Sequence, residues 1–261
     1  MSPAVPDAAP QAPVFASTSL CADSYLLALV PRERIAALSW QAGTPLSTAP
    51  AQAMPGLWES RETLAAFRRE RPGAKLLRGP GLGRAAPGQG AGLTLGFADD
   101  LGDVAEELRR VADWAGVSAQ TVLAEIESVS APARRGPEPA AGPAPRLLYL
   151  SRGGGTTGPD SYVGRAMVRA GGVNVIETGS WQTLTPERIL SLQPDIVVTS
   201  FFGSDYAGVG DRAVRHAALR DYIADRPRID VPGKLWPCAG PGLVEATRIM
   251  QGGVAEWLEA Q

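Results

Sequence analysis

Two runs of alternating strand-like and helix-like segments, divided by a proline-rich stretch at residues 131–145, limit the folds open to this chain. The divider reads APARRGPEPAAGPAP, with five prolines and no large apolar side chain, so it predicts an extended, exposed segment at a boundary between lobes. Before it, residues 14–20 are strand-like, 22–29 helical, 35–39 strand-like, and 62–71 helical until Pro72 stops the run. Strands at 75–77 and 93–97 flank a glycine- and proline-rich exposed loop at 79–92. Asp99 or Asp100 caps a helix whose Leu101, Val104, Leu108 and Val111 share one face, and Ser118 opens another bearing Val122, Ile126 and Val129.

After the divider the pattern repeats. Residues 146–150 and 173–176 predict strands, 162–170 and 185–192 helices, the latter with Thr185 as N-cap and Pro186 at its first position. The IVVTS run at 196–200 has the apolar, β-branched character of a buried parallel strand. Alternation in both halves predicts an α/β fold of two doubly wound lobes with mainly parallel sheets, joined by an interlobe helix, with a ligand cleft between them. The expected organisation is a disordered Ala/Pro-rich tail at 1–13, an N-terminal lobe at 14–117, an interlobe helix and linker at 118–145, and a C-terminal lobe at 146–261.

Composition removes several functional classes. The 261 residues carry a net charge of -2 with dispersed basic residues, which gives no footprint for nucleic acid. No apolar run reaches the roughly 20 residues that span a bilayer. One histidine, His216, and two cysteines, Cys21 and Cys238, cannot build an imidazole-rich cage or a structural zinc site. Residues 1–13 resemble the flexible tail that follows a removed signal peptide.

Within this frame, GGVNVIETGSWQTLTPERILSLQPDIVVTS at 171–200 resembles the second-lobe pattern of the helical-backbone periplasmic binding proteins of ABC importers, which serve cobalamin, heme and iron siderophores. Three other stretches are similar to the family in order: the opening from Ser19 to Ser39, the helix at 62–72, and WPCAGP at 236–241 with the closing helix, likened to a final strand and C-terminal helix. The resemblance implies a substrate-binding protein that performs no chemistry and needs no cofactor, its ligand itself being an iron chelate or a corrinoid. It implies a monomer that meets a permease with its ATP-binding subunits, in the periplasm or anchored there by lipid. The family's single interlobe helix has its candidate here from Ser118, which runs into the prolines and so predicts a less rigid linker.

Such proteins hold ligand outside the carboxyl ends of their strands. Trp40 and Trp58 in the first half, and Arg152, Tyr162, Trp181, Phe201, Phe202, Tyr206 and Trp236 in the second, are the ligand-binding candidates. Aromatic faces offer contact area with little rotamer entropy to lose, and Arg152 is suited to a carboxylate or phosphate. Trp114 and Trp257, on helices, read as core. Glu62 and Glu187 are the permease-docking positions by resemblance, with Glu59 a competitor to Glu62. Cys21 and Cys238 are either a disulfide tying the lobes or two separate thiols.

Two enzyme readings compete. Gly153-x-Gly155-x-x-Gly158 follows a strand, and Glu177 lies where a ribose-binding acid belongs, so an NAD(P)-dependent enzyme is one alternative. The other is a hydrolase using Ser161 with His216 as its base. The first requires a helix to start at the glycines, whereas Pro159-Asp160-Ser161 place the cap beyond them.

Overall fold

The computed structural model describes residues 14–44, 47–48, 69, 72–80, 92–130, 143–151, 154–200 and 217–261. Two separate four-stranded sheets form its framework, each parallel throughout. The first contains β1 (Phe15–Ser17), β2 (Ile35–Ala37), β3 (Lys75–Arg78) and β4 (Gly92–Thr94), in the order β2-β1-β3-β4. The second contains β5 (Arg146–Leu150), β7 (Val173–Asn174), β9 (Ile196–Thr199) and β10 (Arg228–Asp230), in the order β7-β5-β9-β10. In both, the chain lays down its first strand, steps to one side, then returns to add the remainder on the other. The two sheets therefore share one winding, and each reverses direction beside its first strand, where open α/β sheets bind ligands.

Side-chain alternation explains why these strands lie inside. Along β5, Leu147 and Tyr149 face one side and Leu148 and Leu150 the other, and all four are buried. A strand buried on both faces reads as a continuous apolar run, as expected for a parallel sheet under helices. One apolar core runs from Phe15 and Leu77 of the first sheet to Leu147 and Val198 of the second. It is filled by α1 (Leu20–Leu29), α2 (Leu101–Ala115), α3 (Gln120–Ser130), α4 (Tyr162–Arg169) and α7 (Gly242–Glu259). A second cluster packs Ile189 and Leu192 of α5 (Pro186–Leu192) and Leu219 and Ile223 of α6 (Ala217–Ala224) on the far face of the second sheet.

Local signals behave as expected at the helix ends. Asp100 caps α2 through Gly102 N and Asp103 N, Ser161 caps α4 through Gly164 N, and Thr185 caps α5 with Pro186 in its first turn. Gly171, with φ +96°, lies just beyond α4 and donates to Val168 O, while Gly172 donates to Met167 O. A Cβ on Gly172 would sit 2.3 Å from Leu147 Cδ1. Asn174 then receives Ile176 N and donates to Thr157 O. The Gly-Gly-x-Asn motif is thus a helix stop followed by a clasp between neighbouring chain segments.

Two sequence expectations change. The stretch at 155–158, read as part of a candidate dinucleotide fingerprint, is instead a strand: β6 (Gly155–Thr157) pairs antiparallel with β8 (Trp181–Thr183) in a two-stranded ribbon. The final strand is Arg228–Asp230, while 236–241 forms no strand; Pro237–Ala239 is a 3-10 turn. Two prolines and a left-handed Cys238 and Ala239 bar an extended ladder there. The predicted helix at 62–71, apart from Arg69, and the loop at 79–92 beyond Pro80 and before Gly92 lie outside the described residues, as do the tail at 1–13 and the divider at 131–142.

Candidate functional site

Four aromatic rings gather beside the first strand of the second sheet. Tyr149 projects from β5, Tyr162 opens α4, Trp181 opens β8, and Trp236 follows β10. Tyr149 meets Trp181 at 5.8 Å and Trp236 at 5.9 Å between ring centroids, both edge to face. Tyr162 meets the same two rings at 5.9 Å and 6.4 Å. Each tyrosine therefore touches both tryptophans, at separations where ring quadrupoles attract.

The rings differ in exposure. Trp181 is 48% exposed, Tyr162 is half-buried, and Tyr149 and Trp236 are buried. The cluster thus presents Trp181 outward from a foundation of packed rings. Tyr149 shares a hydrogen bond of 2.8 Å with Ser200 at the end of β9. Burial pushes the Tyr149 phenol up to about 12, against the opposing pull of the Ser200 hydrogen bond, and burial also raises Tyr162. Both rings are neutral hydroxyls at physiological pH. Among the described residues, Trp236 Nε1 is buried with no hydrogen-bond partner.

The first sheet supplies a different arrangement at its carboxyl ends. Asp23, in the first turn of α1, is buried and accepts from Ser17 Oγ, from Ser39 N at 2.8 Å and from Ser39 Oγ at 2.5 Å. Burial raises its carboxyl above the ordinary value despite the lowering effect of these donors. Ser17 ends β1 and Ser39 follows β2, so one carboxylate pins two strand ends. Gln41 Oε1 also accepts from Leu20 N at 3.0 Å. Between these fixed points Trp40 starts a short 3-10 turn with half its surface exposed.

A disulfide joins Cys21 of α1 to Cys238, across 217 residues of sequence, so the two-thiol reading does not hold. Further ties between the halves are Arg165 to Asp100 at 3.8 Å, Arg169 Nη1 to Ser130 O and Gln251 Nε2 to Val129 O. A crevice lined by Asp23, Ser24, Lys234, Leu235 and Pro237 lies where the two halves meet.

The candidate residues divide accordingly. Tyr162, Trp181 and Trp236 come together, but Trp236 is sealed behind the cluster and offers no open face, because the turn after β10 folds it against Tyr149. Trp40 stands exposed at the first sheet. Trp58, Arg152, Phe201, Phe202, Tyr206, Glu59 and Glu62 lie outside the described residues. Glu187 is exposed in the first turn of α5. Trp114 packs on Phe15 and Trp257 against the core, as read from the sequence. Sequence reasoning missed Tyr149 and Asp23. Tyr149 stood out only as the one aromatic residue in an aliphatic strand, and Asp23 only as an acid set between two strand-end serines.

The enzyme readings lose their geometry. Gly155 lies within β6 and Ser161 caps α4, so among the described residues the helix does not open at the glycines as a dinucleotide fold requires, while Gly153 lies outside the described residues. Gly158 is needed for packing instead: a Cβ there would lie 2.4 Å from Gly179 O and 2.5 Å from Thr178 O. Ser161 is buried as the α4 cap, bonded to Thr157 Oγ1 and Gly158 O, and is no accessible nucleophile. His216 lies outside the described residues. Among the described residues no group of three or more His, Cys, Asp or Glu side chains could hold a metal ion, and no helix is long and apolar enough to cross a membrane.

No protein-family model matches the sequence, and no curated protein matches it. Solved structures do. The periplasmic heme-binding protein BhuT, in complex with two hemes, superposes with a TM-score of 0.68 at 16% identity, covering 94% of this chain and 99% of that one. The periplasmic heme-binding protein HutB of Vibrio cholerae gives 0.67 at 14% identity, covering 93% and 98%. The periplasmic vitamin B12-binding protein BtuF of Vibrio cholerae gives 0.62 at 12% identity, covering 95% and 98%. Over almost its whole length, this chain has the two-lobed α/β fold of the periplasmic binding proteins.

Proposed function

We propose that this protein is the substrate-binding component of an ABC importer, which captures an iron chelate (heme or a siderophore) or cobalamin and passes it to a membrane permease unchanged. The observation that carries the reading is Trp181, half exposed on a foundation of three further rings beside the switch point of the second sheet. Clustered rings with neutral hydroxyls suit a large, flat or greasy ligand, and they provide no nucleophile or base poised for reaction. The fold likeness to proteins that bind heme and vitamin B12 supports the same class.

In this reading the lobes are residues 14–117 and 146–261, and the cleft lies between the carboxyl ends of the two sheets. Trp40 approaches the ligand from the first lobe, with Trp58, Arg152, Phe201, Phe202 and Tyr206 as further contacts. Any metal belongs to the ligand and not to the protein. The protein works as a monomer in the periplasm, free or lipid-anchored, where an oxidising environment maintains a disulfide. Glu187, and Glu62 on the other lobe, meet basic residues of a permease that acts with ATP-binding subunits.

Titration of the protein with heme, cobalamin, ferric siderophores and NADH, followed by intrinsic tryptophan quenching, tests the proposal. Saturable quenching by one of the first three is expected. A response to NADH alone would contradict it.

A further inference from the structure

The turn that carries Cys238 is unfavourable on its own. Cys238 and Ala239 have φ of +65° and +46°, two successive non-glycine residues in the left-handed region. The turn's own hydrogen bonds, Ala239 N to Trp236 O and Gly240 N to Pro237 O, are long at 3.3 and 3.4 Å. It is nevertheless pressed onto α1: a Cβ on Gly240 would lie 2.8 Å from Ser24 Oγ. Directly before it, Trp236 is 5% exposed with its Nε1 unpartnered among the described residues, a further cost that contact with water would relieve. Burial of the indole ring pulls it inward. The left-handed pair and the orphaned N–H push the other way.

We infer that the Cys21–Cys238 disulfide is the element that holds Trp236 inside the ring cluster, so that the foundation beneath Trp181 is complete only in the oxidised protein. The disulfide anchors the turn two residues after Trp236 to the start of α1, and Trp236 touches both tyrosines that support Trp181. Cys238 is thus a positioning residue that acts through Trp236. Both cysteines are half-buried. A dithiol gives two electrons and two protons: the Cys21–Cys238 S–S bond breaks to two thiols, and the reductant closes to its own disulfide. The turn then relaxes and Trp236 loses its fixed seat.

The consequence for ligand rests on the binding role proposed above, so the test reads the two separately. Folded protein is reduced with dithiothreitol, capped with iodoacetamide and freed of reagent, and compared with the untreated protein and with a C21S/C238S variant. Without ligand, the expected result is a red shift of tryptophan emission and at least a twofold rise in acrylamide quenching, with unchanged far-UV circular dichroism. The W236F variant should lose most of that response. Heme affinity of the reduced, capped protein should fall about tenfold. Unchanged emission and quenching on reduction would overturn the inference, as would a response retained in full by W236F. Heme affinity within twofold of the oxidised protein, in a parent that binds heme, would overturn the link to the site. If the emission shift occurs but the oxidised parent binds none of heme, cobalamin and ferric siderophores, the positioning role stands and the transport reading fails. Should C21S/C238S not fold, the reduced and capped parent gives the same comparison.

Discussion

The two sheets share one strand order, yet their carboxyl ends are finished in opposite ways. The first ends in a buried carboxylate, Asp23, that gathers Ser17 and Ser39, and Trp40 stands exposed beside them. The second ends in packed rings, with Trp181 presented from Tyr149, Tyr162 and Trp236. A doubly wound sheet fixes where its strand ends gather but not what they offer. One end here is built for backbone rigidity, the other for contact area. In the proposed role, the first end serves stability and the second ligand contact.

The largest effect should come from Asp23→Ala. It leaves the buried Ser39 N–H and two serine hydroxyls without their acceptor, a loss of about 3 kcal/mol in urea denaturation. Little loss would erase the contrast between the two ends. Trp181→Ala should do the reverse, weakening ligand binding about tenfold, or about 1.4 kcal/mol, while the urea midpoint stays near that of the parent. If stability falls and affinity holds, that ring is structural.

Because burial raises the folded Asp23 carboxyl above its unfolded value of 3.8, the folded state keeps that proton to higher pH. Its contribution is therefore fully present below pH 3.8 and is lost as pH rises through the folded value. Asp23→Asn should remove this fall from the pH dependence of the urea midpoint. A parent and variant with parallel profiles would show that the carboxyl does not titrate differently on folding. The smallest effect on the isolated protein is expected for Glu187→Ala: unchanged ligand affinity and stability, but impaired uptake in cells.

How much of this could be read from the sequence depends on how local each signal is. The strands at 146–150 and 196–200, the Thr185-Pro186 start of α5 and the Ser161 cap of α4 are encoded within a few residues, and they fall where expected. The β6–β8 ribbon escaped because Gly155 and two threonines are too short a run to show a strand period, and only pairing with Trp181–Thr183 defines them. Arg228–Asp230 is three residues long with charges at both ends, too short to show a period. The four-ring cluster joins residues from distant elements, which no spacing rule reveals. Trp236 was expected to face the ligand, and its burial comes from the turn pinned by Cys238. The pairing of Cys21 with Cys238 needed two chain segments brought together in space, and the sequence alone left it open between bond and free thiols.

In the proposed role a metal-bearing ligand rests against Trp181, between the carboxyl ends of the two sheets. Anomalous scattering from crystals soaked with the heme, cobalamin or ferric siderophore that quenches tryptophan emission would locate that metal directly. One strong iron or cobalt peak is expected in the space before Trp181, with the ligand's flat face or greasy rim on the indole. A peak on the outer helices, or in the first sheet's polar end away from Trp181, would contradict it.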